Sequence, residues 1–230
     1  MKKNYIFTFI LALFNLLAYA QTPMITAILD GDCSGGNPKL LELYANGEVD
    51  FSLYSIQNQT NANTTWGNTQ NLTAFNTVTD AFVYISTSGS ATSLASEFPS
   101  ITGATPALIS STANINGNDR IRIILTSDET VIDQYGVSSE DGSGKPWEYA
   151  DSYAKRVDGT SFNGSFVEAN WAFAGVRALN NLGICQGGTD SFETLIGGIG
   201  TYTASTASVK NNAIEGFATY PNPITNHTFT

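Results

Sequence analysis

The residue types that most often carry enzyme chemistry are scarce in this chain. It has one histidine, His227, close to its C-terminal end, and two cysteines, Cys33 and Cys185. A serine–histidine or cysteine–histidine pair therefore cannot be built in the body of the chain, and neither can a histidine metal site. The 20 acidic residues still allow a pair of catalytic carboxylates, although their spacing singles out no two of them. We expect a protein that is not an enzyme, with a carboxylate-based hydrolase left open.

One acidic stretch has the spacing of a metal loop. In DGDCSGGNPKLLE, residues 30–42, Asp30 and Asp32 match the first half of a calcium-binding loop, in which alternate oxygens face the ion and a glycine makes the sharp turn. The twelfth position, which needs a carboxylate, is Leu41. Asp30 and Asp32 are therefore the calcium candidates, calcium is the one cofactor that the sequence suggests, and an ordinary turn between strands is the alternative.

Cys33 and Cys185 both lie in glycine-rich sequence, DGDCSGG and GICQGG, rather than in an apolar strand. We expect the two cysteines to form a disulfide, which an oxidising compartment favours; two unpaired thiols are the alternative. Such a bond closes a long loop, and in the chain-entropy description it stabilises the fold by about 4–5 kcal/mol.

Three aromatic residues are candidates for ligand binding. Trp66 lies in NQTNANTTWGNTQNLT, a stretch without charge, and Trp147 and Tyr149 lie in GKPWEYADSY. Exposed aromatic rings stack on sugar rings or on the side chains of another protein, so we expect an extracellular carbohydrate or protein ligand. The alternative for the three residues is packing in the core or in loops. The alternative for the uncharged stretch is a solvated loop with an edge strand.

The first 20 residues are typical of a signal peptide. Lys2 and Lys3 precede an apolar run that ends in Ala-Tyr-Ala at 18–20, a small–x–small cleavage site. The run is shorter than the ~20 residues of a spanning helix, so we expect no membrane insertion, with an N-terminal anchor as the alternative. The net charge of −10 disfavours nucleic acid as a partner, since phosphate binding depends on Lys and Arg. We expect passage through the periplasm to the medium or the outer cell surface.

The elements that must hold these residues are short strands. Apolar or alternating runs, separated by Gly, Asn, Asp and Ser, occur at 24–30, 39–45, 51–57, 81–87, 120–126, 130–136 and 153–158. In the run at 120–126, Arg120 and Arg122 alternate with Ile121 and Ile123, as in a half-buried strand. A short helical pattern occurs at 91–99. Many short strands predict an all-β sandwich over residues 21–190.

The order of these strands and turns resembles a known family. The runs KLLELYANGEVDFSLY, GNDRIRIIL, VIDQYG and YAKRVDG followed by FVEANWAF are similar to motifs of the lamin-tail domains of bacterial extracellular proteins. The first run carries the family's pattern, with Ala45 as an extra residue in the turn, at Lys39, Glu42, Tyr44, Asn46, Gly47, Asp50 and Tyr54. The resemblance implies an immunoglobulin-like β-sandwich with a surface or accessory role and without catalytic residues.

The C-terminal sequence resembles a second family. FATYPNP is similar to the opening of the C-terminal sorting domain of type IX secretion in Bacteroidetes, and the matching residues are Tyr220, Pro221, Asn222 and Pro223. We therefore expect a linker or edge segment at 191–216 and the truncated start of a sorting domain at 217–230. The resemblance implies the type IX secretion machinery as a partner, and it places His227 in the sorting segment rather than in a catalytic site.

Two functions remain open from the sequence. The first is a secreted or cell-surface, non-catalytic binding or adhesion module that type IX secretion exports. The alternative is the accessory domain of an extracellular nuclease or other hydrolase whose catalytic part is not in this chain. The acidic charge and the missing histidines argue against nuclease activity of the chain itself.

Overall fold

The computed structural model of the protein describes residues 21–101, 105 and 107–205. The strands in these residues are β1 (Thr22–Cys33), β2 (Asn37–Asn46), β3 (Glu48–Asp50), β4 (Tyr54–Gln59), β5 (Thr69–Asn71), β6 (Thr77–Thr79), β7 (Phe82–Ser86), β8 (Ala107–Ile109), β9 (Arg120–Leu125), β10 (Val131–Tyr135), β11 (Ser152–Arg156) and β12 (Trp171–Phe173). The α-helices are α1 (Ala91–Glu97) and α2 (Phe192–Leu195). Single turns of 3-10 helix span Phe51–Leu53, Thr73–Phe75, Ser88–Ser90, Ser111–Ala113, Glu168–Asn170 and Ile184–Gln186.

The strands form two main sheets. One has six strands in the order β12-β11-β1-β2-β7-β8, and the other has four in the order β10-β9-β4-β5, while β3 and β6 form a two-stranded ribbon. Neighbouring strands run antiparallel, with the β7–β8 pair as the parallel exception. The prediction of an all-β sandwich is confirmed, and α1 falls within the stretch predicted to be helical.

The main core lies between the two sheets. Leu41 and Leu43 of β2 share one buried cluster with Ile121 and Ile123 of β9, and all four are fully buried. Their spacing of two residues is what a strand needs to place both side chains on one face. Full burial of such side chains stabilises the fold by about 1.5–3 kcal/mol each.

A second apolar layer covers the other face of the six-stranded sheet. Leu29 and Leu40 point away from the main core and cluster with Phe98, which follows α1, and with Phe192 of α2. The segment that the sequence marks as a linker or edge from residue 191 therefore packs on this sheet, and Tyr202 is also buried. This second layer makes β1 and β2 apolar on both faces, which is why their sequences read as nearly continuous apolar runs.

The predicted disulfide is confirmed. Cys33, at the end of β1, is bonded to Cys185, with 5.6 Å between the two Cα atoms. Glu97 of α1 lies beside the bond, and its carboxylate accepts hydrogen bonds from the backbone N–H groups of Cys185 at 2.6 Å and Phe192 at 2.8 Å. The disulfide and this buried carboxylate together hold the late part of the chain against β1.

One buried ion pair joins the two sheets. Asp133 of β10 accepts hydrogen bonds from the Ile25 N–H at 2.8 Å and from Arg156 Nη2, while Arg156 Nε donates to the Ile25 carbonyl at 2.6 Å. The guanidinium group also lies 4.7 Å from the ring centroid of Trp171. The β1–β11 ladder ends at Ala27, so these side chains satisfy backbone groups of Ile25 that the ladder does not reach. We call this arrangement the Arg156 clasp.

The strand predicted at 51–57 begins later than expected. Phe51–Leu53 forms a turn of 3-10 helix, because Asp50 accepts a hydrogen bond from the Ser52 N–H at 3.0 Å and caps it. Strand β4 then starts at Tyr54. Alternation of apolar residues does not distinguish such a single turn from the first residues of a strand.

Arg120 differs from its predicted exposure. The alternation predicts a solvated side chain, but Arg120 is fully buried. Its guanidinium donates to the carbonyl oxygens of Asn61 and Asn63, and to Gln59 Oε1 at 3.2 Å. The uncharged Asn/Thr-rich segment therefore folds back over β9 at its first residues. The rest of that segment is mostly exposed and includes the edge strand β5, as the loop alternative predicts. In the part of the chain that the structure describes, no helix has both the length and the apolarity needed to cross a membrane.

Candidate functional site

Two of the three predicted ligand-binding aromatics lie in the core. Trp147 and Tyr149 are 2% and 0% exposed. Both rings pack edge-on against Tyr135, whose hydroxyl donates to the Trp147 carbonyl at 2.6 Å. The ligand-binding prediction is corrected for these two residues, because a ring enclosed by the core offers no face to a ligand. They fill the end of the sandwich instead.

Trp66 is partly exposed on the outer face of the four-stranded sheet. Its ring centroid lies 4.2 Å from the guanidinium carbon of Arg122. Arg122 Nε in turn donates to Gln57 Oε1 at 2.7 Å, and Gln57 Nε2 donates to Thr69 Oγ1 at 2.9 Å. Trp66 therefore covers a cation on its own sheet, and one face of its indole ring is already in use.

The two calcium candidates already hold protein donors. Asp30 Oδ1 lies 2.6 Å from Lys39 Nζ in a buried ion pair. Burial raises the pKa of Asp30 to about 6, although the ammonium of Lys39 opposes this shift. Asp32 Oδ2 accepts a hydrogen bond from the Asn181 N–H at 2.7 Å. The cation beside Asp30 is thus a lysine of the neighbouring strand, and the stretch forms a strand end and turn, as the alternative predicts.

One group in the described part of the chain places three potential metal ligands together: Cys33, Glu97 and Cys185. Both sulfur atoms form the disulfide, and Glu97 accepts two backbone hydrogen bonds, so the group has structural partners in place of a metal. The predicted sorting residues Tyr220, Pro221, Asn222 and Pro223, like the predicted signal peptide 1–20, lie outside the described residues.

A groove with aromatic walls lies at the end of β2 and β7. It encloses about 480 Å³ and is lined by Tyr44, Phe82 and Tyr202, with Asn46, Asp80 and residues 203–205 around them. We call it the aromatic groove. The ring centroid of Tyr44 lies 4.9 Å from that of Phe82 and 5.6 Å from that of Tyr202. Tyr44 therefore contacts both other rings, with the ring planes tilted by 47° against Phe82 and 60° against Tyr202.

A tight turn places the one carboxylate of this groove. Asp80 Oδ1 accepts hydrogen bonds from the Gly47 N–H at 2.8 Å and from the Tyr44 hydroxyl at 3.4 Å. Gly47 has φ of 77° and Asp80 has φ of 45°, a left-handed conformation that glycine adopts without strain and that Asp tolerates better than most residues. Burial and the nearby carboxylate of Asp80 raise the pKa of Tyr44, so its hydroxyl stays a donor.

Hydrogen bonds to Glu42 and Thr160 hold the segment that contains Tyr202 at this groove. Glu42 of β2 is 1% exposed, and its carboxylate accepts hydrogen bonds from Thr26 Oγ1 at 2.8 Å and from the Gly200 N–H at 2.6 Å. The hydroxyl of Tyr202 donates to the Thr160 carbonyl at 2.6 Å. Burial raises the pKa of Glu42. These contacts fix the path of the chain after α2, and so they fix the ring that closes one side of the aromatic groove.

The aromatic groove was missed by the sequence interpretation. Tyr44 and Phe82 are direct cross-strand partners in the β2–β7 pair, and Tyr202 arrives from a segment that the sequence marks as a linker or edge. One signal was present in the sequence. Leu40, Glu42 and Tyr44 alternate along β2, so they lie on one face of the sheet, and the aromatic ring of Tyr44 is at the end of that face. Nothing in the local pattern links it to Phe82 or Tyr202.

A second groove, here called the polar groove, lies at the opposite end of β2. It encloses about 450 Å³ between the β1–β2 turn and the segments 87–89 and 109–114, and hydroxyl and amide groups line it. Lys39 is its charged lining residue. The ammonium of Lys39 already donates to Asp30 and to the Ile115 carbonyl, so little of its charge is available to a ligand.

The arrangement of charged groups at the two grooves limits their chemistry. The aromatic groove is lined by one carboxylate, that of Asp80, and the polar groove by none. Glycoside hydrolysis by carboxylates needs two of them about 5–10 Å apart across the scissile bond. The aromatic groove offers apolar ring surface with hydrogen-bonding groups at its rim, which suits binding. Comparison of the chain with protein-family models, with curated proteins and with solved structures finds no match.

Proposed function

We propose that the chain is a secreted or cell-surface, non-catalytic binding or adhesion module, exported by the type IX secretion machinery. The aromatic groove is the observation that carries this proposal. Touching aromatic rings, a carboxylate and amide or hydroxyl groups surround one open depression, and most binding sites for small molecules combine these features. An extracellular carbohydrate or protein is the ligand class.

The architecture supports a lamin-tail type of immunoglobulin-like sandwich as part of this proposal. Two mainly antiparallel sheets enclose the core. The family-like residues of the first run follow β2 and its turn, where Tyr44, Asn46 and Gly47 shape the aromatic groove. The resemblance to lamin-tail domains implies a surface role, and the aromatic groove, which residues of the same sequence run line, is the candidate site for that role.

Buried carboxylates support the non-catalytic part of the proposal. Asp30, Asp133, Glu42 and Glu97 are each at most 5% exposed. Each accepts hydrogen bonds from groups that hold strands or turns in place. A carboxylate enclosed in this way has little access to a substrate. The acidic composition of the chain therefore does not itself indicate a hydrolase.

Binding of the purified protein to arrays of glycans and of immobilised extracellular proteins tests this function. We expect binding on at least one array, and weaker binding by a Tyr44→Ala variant that keeps the native melting temperature to within a few degrees. Absence of binding on both arrays would refute the module. Cell fractionation tests export: protein that accumulates in the periplasm, rather than in the medium or on the surface, would contradict type IX secretion.

A further inference from the structure

We propose that the aromatic groove binds neutral carbohydrate, with a pyranose ring stacked on the surface of Tyr44 and Phe82 and its hydroxyl groups held at the rim by Asp80. This inference rests on the proposed binding function and names the ligand class of the same groove. The volume of about 480 Å³ lies within the ~300–1,000 Å³ of ordinary ligand sites.

The contacts between the rings favour a ligand that packs on a ring face over one that is surrounded by rings. The ring of Tyr44 touches those of Phe82 and Tyr202, with centroids 4.9 and 5.6 Å apart. An ammonium or guanidinium cage needs rings that surround the cation, each about 6 Å or less from its centre, and rings in mutual contact leave no space between them. A pyranose ring instead presents a face of C–H groups, which carry small positive charges and pack on the negative face of an aromatic ring.

The rim supplies directional contacts to hydroxyl groups. Asp80 Oδ1 is held by the Gly47 N–H at 2.8 Å, and Oδ2 accepts no hydrogen bond from the described residues. A carboxylate with one oxygen fixed and the other free accepts hydrogen bonds from sugar hydroxyls in a set direction, and charge makes these bonds stronger than neutral ones. Asn46, Thr203 and Ser205 add amide and hydroxyl groups to the lining.

Charge selects among carbohydrates. Asp80 is the charged group in the lining of the aromatic groove, and the whole chain has a net charge of −10. Uronic acids and sulfated sugars would place a second negative charge beside Asp80 without a cation to balance it, and repulsion at such short range costs affinity. The same carboxylate accepts the hydroxyl protons of a neutral sugar. Neutral hexoses and pentoses are therefore the class that this lining fits.

The groove is largely formed before a ligand arrives. Tyr202 is 8% exposed and anchored through its hydroxyl to the Thr160 carbonyl at 2.6 Å. Asp80 is fixed by hydrogen bonds to Gly47 of the neighbouring β2–β3 turn, since its carboxylate accepts the Gly47 N–H at 2.8 Å and its own N–H donates to the Gly47 carbonyl at 3.1 Å. A ligand then meets side chains whose conformations are already restricted, which lowers the entropy lost on binding.

Native affinity electrophoresis tests the inference. The purified protein runs through gels that contain β-glucan, xylan, mannan or galactan, and through matched gels with alginate or polygalacturonate. We expect at least one neutral polysaccharide to retard it and neither acidic one to do so. Tyr44→Ala should raise the dissociation constant at least tenfold. Asp80→Asn, which tolerates the left-handed backbone conformation and keeps an oxygen for the Gly47 N–H, should also raise the dissociation constant with little change in melting temperature, while Trp66→Ala serves as the control and should bind as the native protein does.

Several results would overturn the inference. Retardation that Trp66→Ala abolishes and Tyr44→Ala preserves places the sugar on the four-stranded sheet, and the binding module survives at another site. Retardation by the acidic polysaccharides alone contradicts the charge argument. Binding that 0.5 M NaCl removes indicates a cationic ligand group rather than a neutral sugar. No retardation by any polysaccharide refutes the ligand class, while binding on the protein array would still support the proposed module.

Discussion

Replacing Asp133 with alanine removes the carboxylate of the Arg156 clasp, and we expect it to lower the free energy of unfolding by about 3–5 kcal/mol. The side chains of Asp133 and Arg156 are each 2% exposed, so the guanidinium left behind has little access to water. The Ile25 N–H also loses its acceptor, since Asp133 Oδ2 lies 2.8 Å from it. An uncompensated buried charge and an unsatisfied buried donor both oppose folding.

A second variant separates the effect of the unpaired buried charge from the effect of the lost side-chain volume. Replacing Asp133 with leucine and Arg156 with methionine removes both charged groups and leaves apolar side chains in their place. Because removing both partners of a buried ion pair is often much less costly than removing one, we expect the double variant to be more stable than Asp133→Ala. Glu140→Ala is the control, since its ion pair with Lys145 is partly exposed and such pairs contribute about 0–1 kcal/mol.

Urea unfolding followed by tryptophan fluorescence measures these differences, and Trp171 beside the guanidinium contributes to the signal. The slope of the transition should stay the same in all variants, so that changes in the midpoint are changes in stability. If Asp133→Ala lost less than about 1 kcal/mol, the ion pair would be open to solvent and the burial argument would be wrong. A double variant that is less stable than Asp133→Ala would show that the unpaired guanidinium is not what destabilises the single variant.

Three further perturbations test other parts of the fold. Replacing Cys33 and Cys185 with serine should cost about 4–5 kcal/mol, measured by urea unfolding with the native protein under a reductant as the comparison. Asp30 has a folded pKa of about 6 against an ordinary value of 3.8, so the folded state holds more protons between those values and stability should fall as pH rises from 4 to 6. An Asp30→Asn variant should show a smaller pH dependence over this range, because Glu42 keeps its own raised pKa, and an unchanged profile would contradict the assignment. Glu97→Gln should cost about 1–3 kcal/mol, because the N–H of either Cys185 or Phe192 then faces an amide NH₂, and hydrogen exchange should increase first at 183–196; uniform exchange would argue against a local role.

Local sequence pattern accounts for the sheets. Ile121 and Ile123 are fully buried on one face of β9, as their spacing requires. The predicted pairing of Cys33 with Cys185 is also confirmed, although Cys33 is a buried residue at the end of β1 rather than a loop residue. For the strands the decisive information, side-chain parity, lies within a few neighbouring residues, so it can be seen without knowing which strands pair.

Burial of single polar or aromatic residues depends on what lies across the fold. Trp147 is enclosed because Tyr135 and its neighbours converge at one end of the sandwich. Arg120 is buried because a loop from an earlier part of the chain offers carbonyl oxygens to it. The local sequence predicts neither contact, because an aromatic residue near glycine or an arginine beside isoleucine can be either buried or exposed.

The candidate site adds a third kind of dependence, because its walls come from distant parts of the chain. Tyr44 and Phe82 meet through strand pairing, whereas Tyr202 belongs to an irregular segment whose backbone must be satisfied by other means. Glu42 accepts the Gly200 N–H, and Glu97 accepts those of Cys185 and Phe192. Carboxylates therefore accept backbone N–H hydrogen bonds here, as the carbonyl groups of a neighbouring strand do in a sheet. These two carboxylates fix irregular segments of the chain, and the groove whose wall Glu42 helps to hold in place is where we expect binding.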